Sequence, residues 1–97
     1  MIESFKDKAT DDIFNGLASR QARKICPQVL WRIATRKLDQ LDSVIELDEL
    51  KVPPGNRLEA LFGDRSGFYS VRINQQYRIC FKWGKNGPLE VEITDYH

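Results

Sequence analysis

The sequence predicts an α+β domain, with two to three N-terminal helices packed on one face of a curved, mostly antiparallel sheet of four to five strands. Three observations carry this. Apolar residues recur at helical spacing through the first half of the chain, as far as Leu41. Pro53-Pro54-Gly55-Asn56 then ends any helix and marks a connection. From Arg57 onward the side chains alternate with a period of two, as half-buried strands do. Helices followed by a run of strands segregate into separate layers. The 97 residues make one domain, 1–97, with room for one modest core.

The first helix is expected over roughly Lys6 to Leu17, where Phe5, Ala9, Ile13 and Phe14 share a face and Gly16 lies near the stop. Arg20 to Lys24 is a basic stretch, helical or irregular. Pro27 suits a first helical turn, so the main helix is placed from Cys26 or Pro27 to Leu41. Its apolar stripe is Leu30, Ile33, Ala34, Leu38 and Leu41. Ser43 to Leu50 adds a helical turn. Arg57–Phe62 reads as a strand and Gly63–Gly67 as a turn. Phe68–Asn74 is the next strand, with Tyr69, Val71 and Ile73 opposed to Ser70 and Arg72. After a tight turn at Asn74-Gln75-Gln76, Tyr77, Ile79, Phe81 and Trp83 alternate with Arg78, Cys80 and Lys82. Gly84-Lys85-Asn86-Gly87 is a hairpin signal. Leu89–Tyr96 closes the sheet, with Leu89, Val91 and Ile93 opposed to Glu90, Glu92, Thr94 and Tyr96.

Composition excludes several classes of function. At 41% hydrophobic and 30% charged residues, the chain reads as an ordinary globular protein. No apolar run approaches the ~20 residues that span a bilayer. The opening MIESFKDKATDD has no apolar signal core, so a cytoplasmic location without membrane contact is expected. Cys26 and Cys80 form no CxxC pair, which fits reduced thiols. One histidine and two scattered cysteines do not make a zinc site, and the carboxylates lack metal-ligand spacing. The glycines are scattered and no GK[ST] occurs, so no cofactor is expected.

The charge is near balance, at +1, but unevenly distributed. Residues 20–37 carry Arg20, Arg23, Lys24, Arg32, Arg36 and Lys37 with no acid, and residues 38–50 are acidic. Residues 51–85 carry seven bases against Glu59 and Asp64, and Arg57, Arg65, Arg72 and Arg78 are arginine, whose fork matches phosphate oxygens. Strand alternation collects Arg72, Arg78, Lys82, Glu92 and Tyr96 on the sheet face away from the helices. A curved sheet would make that face a cationic groove for a single-stranded nucleic acid backbone. Ion pairs from Arg72 or Lys82 to Glu90 or Glu92 are the competing account of the same residues.

The only histidine is the last residue, His97, directly after Asp95 and Tyr96 on the final strand. An imidazole is the side chain suited to moving protons near neutral pH. With arginines and no metal motif, the remaining chemistry is acid–base work on a phosphate ester. RNA suits it, because its 2′-hydroxyl is a built-in nucleophile.

These residues converge on a known family. The chain resembles the HigB-type toxins of the RelE/ParE superfamily over nearly its whole length. The resemblance rests on Met1–Lys6, Leu38–Asp42, Pro53–Leu61, Gly63–Gly67, Tyr69–Asn74, Tyr77–Phe81 and the closing Asp95-Tyr96-His97. It implies a RelE-like fold and a ribosome-dependent mRNA endoribonuclease, silenced by a HigA-like helix-turn-helix antitoxin usually encoded beside the toxin. It assigns Asp95, Tyr96 and His97 to the functional C-terminus and Arg78 to the family's strand arginine. The candidate catalytic set is therefore His97, Tyr96, Asp95, Arg78 and Glu59. His97 is general acid or base, and Glu59 a proton acceptor. Arg57, Arg65, Arg72 and Lys82 are the candidate substrate-binding residues. Some relatives carry a histidine and a lysine in the strand before the Gly-Asp-Arg turn; this chain has Glu59 and Phe62, which points to a weaker toxin. The alternatives are a non-catalytic RNA-, ribosome- or antitoxin-binding module of the same fold and, less favoured, a gyrase-inhibiting toxin.

Overall fold

The computed structural model describes residues 1–95. Three helices precede four strands: α1 (Lys8–Phe14), α2 (Arg20–Ile25), α3 (Trp31–Ser43), β1 (Glu59–Ala60), β2 (Phe68–Arg72), β3 (Tyr77–Gly84) and β4 (Gly87–Asp95). The class is α+β, as the change of period implies. Among the described residues no helix is long and apolar enough to cross a membrane.

Capping residues set the helix bounds more tightly than periodicity does. Asp7 starts α1 by accepting the Thr10 N–H at 2.7 Å, so the helix begins after Lys6. Ser19 starts α2 in the same way, from Ala22 N–H at 3.0 Å, and the basic stretch is helical. The main helix begins later than its apolar stripe suggests. Pro27 precedes a 3₁₀ turn, Gln28–Leu30, and only Trp31 opens α3. The Trp31 indole N–H donates to the Cys26 carbonyl at 2.9 Å and fixes that corner. After α3, Glu46 and Glu49 form a reciprocal capping box for the 3₁₀ segment Leu47–Lys51.

The sheet runs β1-β2-β3-β4 with every neighbouring pair antiparallel. The chain start adds a further edge that alternation does not reveal. Phe5 pairs in parallel with Val91, Lys6 N–H donates to Val91 O at 2.9 Å, and Val91 N–H to Ser4 O at 3.0 Å. The strand expected over 57–62 contracts to two residues. Arg57 adopts a left-handed conformation (φ 45°), which a strand cannot contain. A bulge interrupts β3–β4 between Cys80 and Lys82, where Glu90 takes φ 50°.

The core lies between the helices and one sheet face. Val71, Ile79, Phe81, Val91 and Ile93 meet Ile13, Ala22, Ala34, Leu38, Leu41 and Leu50, and Trp31 and Trp83 pack partly buried at its margin. Thr10 links the layers, its hydroxyl accepting the Ile93 N–H at 3.0 Å in a buried position. With one face sealed by the helices, the other is left for function.

Candidate active site

The free face of the sheet has a middle row, Glu59–Ser70–Cys80–Glu92, across all four strands. Its two central side chains are small, which leaves room above them for long side chains to fold down. Both are fully buried. Arg78 covers Ser70: its Nε donates to Ser70 Oγ at 2.7 Å, and its Nη2 to the Arg57 carbonyl at 2.7 Å and the Ser70 carbonyl at 3.4 Å. Arg78 is thereby 7% exposed, and its Nη1 lies 4.0 Å from Glu59 Oε1. A guanidinium held at several points keeps its orientation before any ligand arrives.

The other half of the row is an ion-pair cluster. Glu92, 13% exposed at its side chain, accepts from Arg65 Nη1 at 3.1 Å and faces Lys6 Nζ at 3.5 Å. The Cys80 thiol lies among Arg65, Glu92, Arg78 and Lys6, and burial, the leading influence, pushes its pKa up. At the hairpin end, Lys82 pairs with Glu90 at 3.2 Å and sits 5.1 Å from the centre of the Phe68 ring.

The face is therefore of mixed charge rather than uniformly cationic. Lys82 takes the cross-strand pairing with Glu90, and Arg65 pairs with Glu92. Arg72 does neither. It stands opposite Arg78 in register and turns away, its Nε donating to the Asn74 carbonyl at 3.1 Å. Like charges directly opposite on a sheet repel, and an anion bound at this end would be attracted by both.

The structure thus brings Glu59, Arg78, Arg65 and Arg72 onto one face. Arg57 enters differently from its sequence assignment. Its side chain is exposed, and its contribution is the backbone carbonyl that its left-handed conformation presents to Arg78. Asp95 lies opposite Tyr77, one residue out of phase with the Arg78 row, and accepts from Gln76 Nε2 at 3.0 Å. Tyr96 and His97 lie outside the described residues. Sequence reasoning did not assign Ser70, Cys80 or Lys6 to the site. Ser70 and Cys80 share the alternation of Arg72 and Arg78, a signal that they floor the same face. Lys6 gave no signal, because its strand-like pairing has no periodic pattern.

Comparisons with known proteins agree with this architecture. The family model for the RelE-like toxin HigB of type II toxin–antitoxin systems matches residues 3–97. "Toxin HigB-1" of Vibrio cholerae is 35% identical over 83 residues, covering 86% of this chain and 84% of that protein. "Endoribonuclease HigB" of Proteus vulgaris is 32% identical over 98 residues, covering all of both chains. An uncharacterised Haemophilus influenzae protein is 37% identical over 60 residues, 62% of this chain and 59% of its own. Matched nearly end to end, and carrying a helix layer beneath a sheet that presents an anchored arginine, this chain belongs to the HigB-like toxin family of type II toxin–antitoxin systems.

Proposed function

We propose that the protein is an mRNA endoribonuclease that acts on message held by the ribosome in the cytoplasm and is neutralised by a HigA-like antitoxin. The observation that carries the reading is Arg78, buried, held by Ser70 and the Arg57 carbonyl, and 4.0 Å from the half-exposed Glu59 carboxylate. Together they offer a scissile phosphate a positioned cation and a neighbouring base. The name of the Proteus vulgaris relative supports the same class of activity.

In this reaction the ribose 2′-oxygen attacks the adjacent phosphorus. A 2′-O–P bond forms, the P–O5′ bond breaks, and the products end in a 2′,3′-cyclic phosphate and a 5′-hydroxyl. One proton leaves the 2′-hydroxyl and one reaches the O5′ leaving group. His97 serves as one of the two proton carriers and Glu59 as acceptor, Tyr96 stacks on or hydrogen-bonds the substrate, and Asp95 orients the tail. Arg78 and Arg65 stabilise charge on the phosphoryl oxygens. Losing one such positioned donor costs about 10²–10³ in rate elsewhere.

The test is a translated reporter mRNA mapped by primer extension, comparing the intact protein with His97→Ala. New ends with the intact protein and their loss in the variant support the reading. Equal cleavage by both removes His97 from the mechanism. A second reading, binding without cleavage, is favoured by two observations: Arg65 and Lys82 already hold carboxylates, and Phe62, 86% exposed, offers an apolar ring rather than a charge before the Gly-Asp-Arg turn. Growth inhibition without new mRNA ends would decide for it.

A further inference from the structure

Behind the Arg72–Arg78 end of the sheet, a second cationic feature is built from α3 and the loop that precedes β1. A cavity of about 420 Å³ is lined by Arg36, Lys37, Gln40, Pro53 and Asn56. That size is within the range of small-ligand sites. Its floor is rigid. Asn56 is 1% exposed; its Nδ2 donates to Gln40 Oε1 at 2.9 Å and to the carbonyls of Leu50 at 3.1 Å and Val52 at 3.4 Å. Its Oδ1 accepts from Lys37 Nζ at 2.7 Å, so the ammonium is aimed rather than free to wander.

The electrostatics of this cavity are one-sided. Lys37 lies close enough to Arg36, Arg72 and Arg78 for all three to act on its charge. Burial first, then these three cations, hold its pKa below the usual lysine range. Among the described residues no carboxylate lies within ion-pair distance of Arg36, Lys37 or Arg72. This contrasts with Arg65, Lys6 and Lys82, which all have acidic partners on β4. A lysine hydrogen-bonded to a buried amide, within reach of three guanidinium charges and, among the described residues, with no acid at ion-pair distance, is arranged for an anion with several acceptor oxygens. Phosphate meets that description, and the arginines add bidentate recognition.

We propose that the Arg36–Lys37–Gln40–Pro53–Asn56 cavity is a phosphate-ester site, distinct from the Glu59–Arg78 site. The ligand is a phosphate either of the bound RNA backbone or of a free nucleotide. The backbone source rests on the endoribonuclease reading; the site itself does not.

The test uses full-length protein labelled with ¹⁵N and three probes: inorganic phosphate, a nucleoside 5′-monophosphate, and a 2′-O-methyl RNA oligonucleotide that cannot be cleaved. The expected result is a shift of the Lys37, Gln40 and Asn56 signals with inorganic phosphate and with at least one of the other probes. Arg36→Gln, at an exposed position, and Lys37→Met each weaken that binding about three- to tenfold. If the source is RNA, each variant also lowers the slope of log affinity against log salt by about 0.7, the value of one lost single-strand phosphate contact. If the source is a nucleotide, the monophosphate loses affinity in the variants while the oligonucleotide does not. Arg36→Gln retains the Lys37–Asn56 bond, so it tests the site even if Lys37→Met unfolds. No shift at these residues with any probe, or binding unchanged in both variants, overturns the proposal. Message cleavage without phosphate binding here removes this site alone. Phosphate binding here without message cleavage removes the endoribonuclease reading alone.

Discussion

Replacing Arg78 by lysine retains the charge and removes the fork. The native guanidinium makes two short bonds, to Ser70 Oγ and to the Arg57 carbonyl, both at 2.7 Å. A lysine ammonium on a shorter, single-headed chain keeps one at most. A hydrogen bond from a charged group is worth ~1.5–3 kcal/mol net, so Arg78→Lys is expected to cost ~2 kcal/mol. For a domain of this size each kcal/mol moves Tm by about 4–8 °C, which gives a fall of about 8–16 °C. The loss should appear as a lower urea midpoint with an unchanged slope. Single-turnover cleavage of ribosome-bound message, measured well below the variant's Tm, should fall about 10²–10³-fold. A stability loss with full cleavage would refute the catalytic assignment and leave Arg78 as a clamp between β2 and the loop before β1. Unchanged stability would refute the value given to the two bonds.

Three further outcomes follow from the geometry. Ser70→Ala removes the buried acceptor of Arg78 Nε and should destabilise by ~1–2 kcal/mol in urea titration, with a smaller activity loss than Arg78→Lys. Cys26, whose pKa burial pushes to about 11, and Cys80, pushed up by burial as well, should resist a thiol reagent at neutral pH until the protein is unfolded. Rapid labelling of either thiol in the native state would contradict their placement. The Asp12 carboxyl is held below its usual value of 3.8, first by its hydrogen bond with Lys8 and then by one with Ser19. Its contribution to stability is therefore present above that value and lost as pH falls through the depressed one. Asp12→Asn should flatten the acid limb of Tm against pH, and an unchanged limb would count against the pairing.

The fold was largely legible because hydrophobic period is a strong local signal. The helical spacing, the Pro-Pro-Gly-Asn break and the alternation of β2 to β4 each follow from a few adjacent residues. What escaped depends on contacts between distant segments. Lys6 joined the sheet margin through backbone bonds to Val91, which no side-chain pattern encodes. Arg57 left the strand because the loop closes on Asn56 and turns the backbone left-handed, a property of the closed loop rather than of arginine. The Glu90 bulge likewise adjusts which β4 side chains meet Lys82. Alternation placed Arg72, Arg78, Lys82 and Glu92 on one face. It could not say which cation has a carboxylate waiting, because Arg65 reaches Glu92 from a turn 27 positions away in sequence.

The bond from Arg78 to the Arg57 carbonyl makes the site's electrostatics hostage to a segment outside the sheet. A protein that gripped residues 52–57 and drew that backbone outward would take away one of the guanidinium's anchors while Ser70 kept hold of Nε. Inhibition of that kind leaves the free face of the sheet uncovered, and it would look like a loss of turnover with message still able to bind.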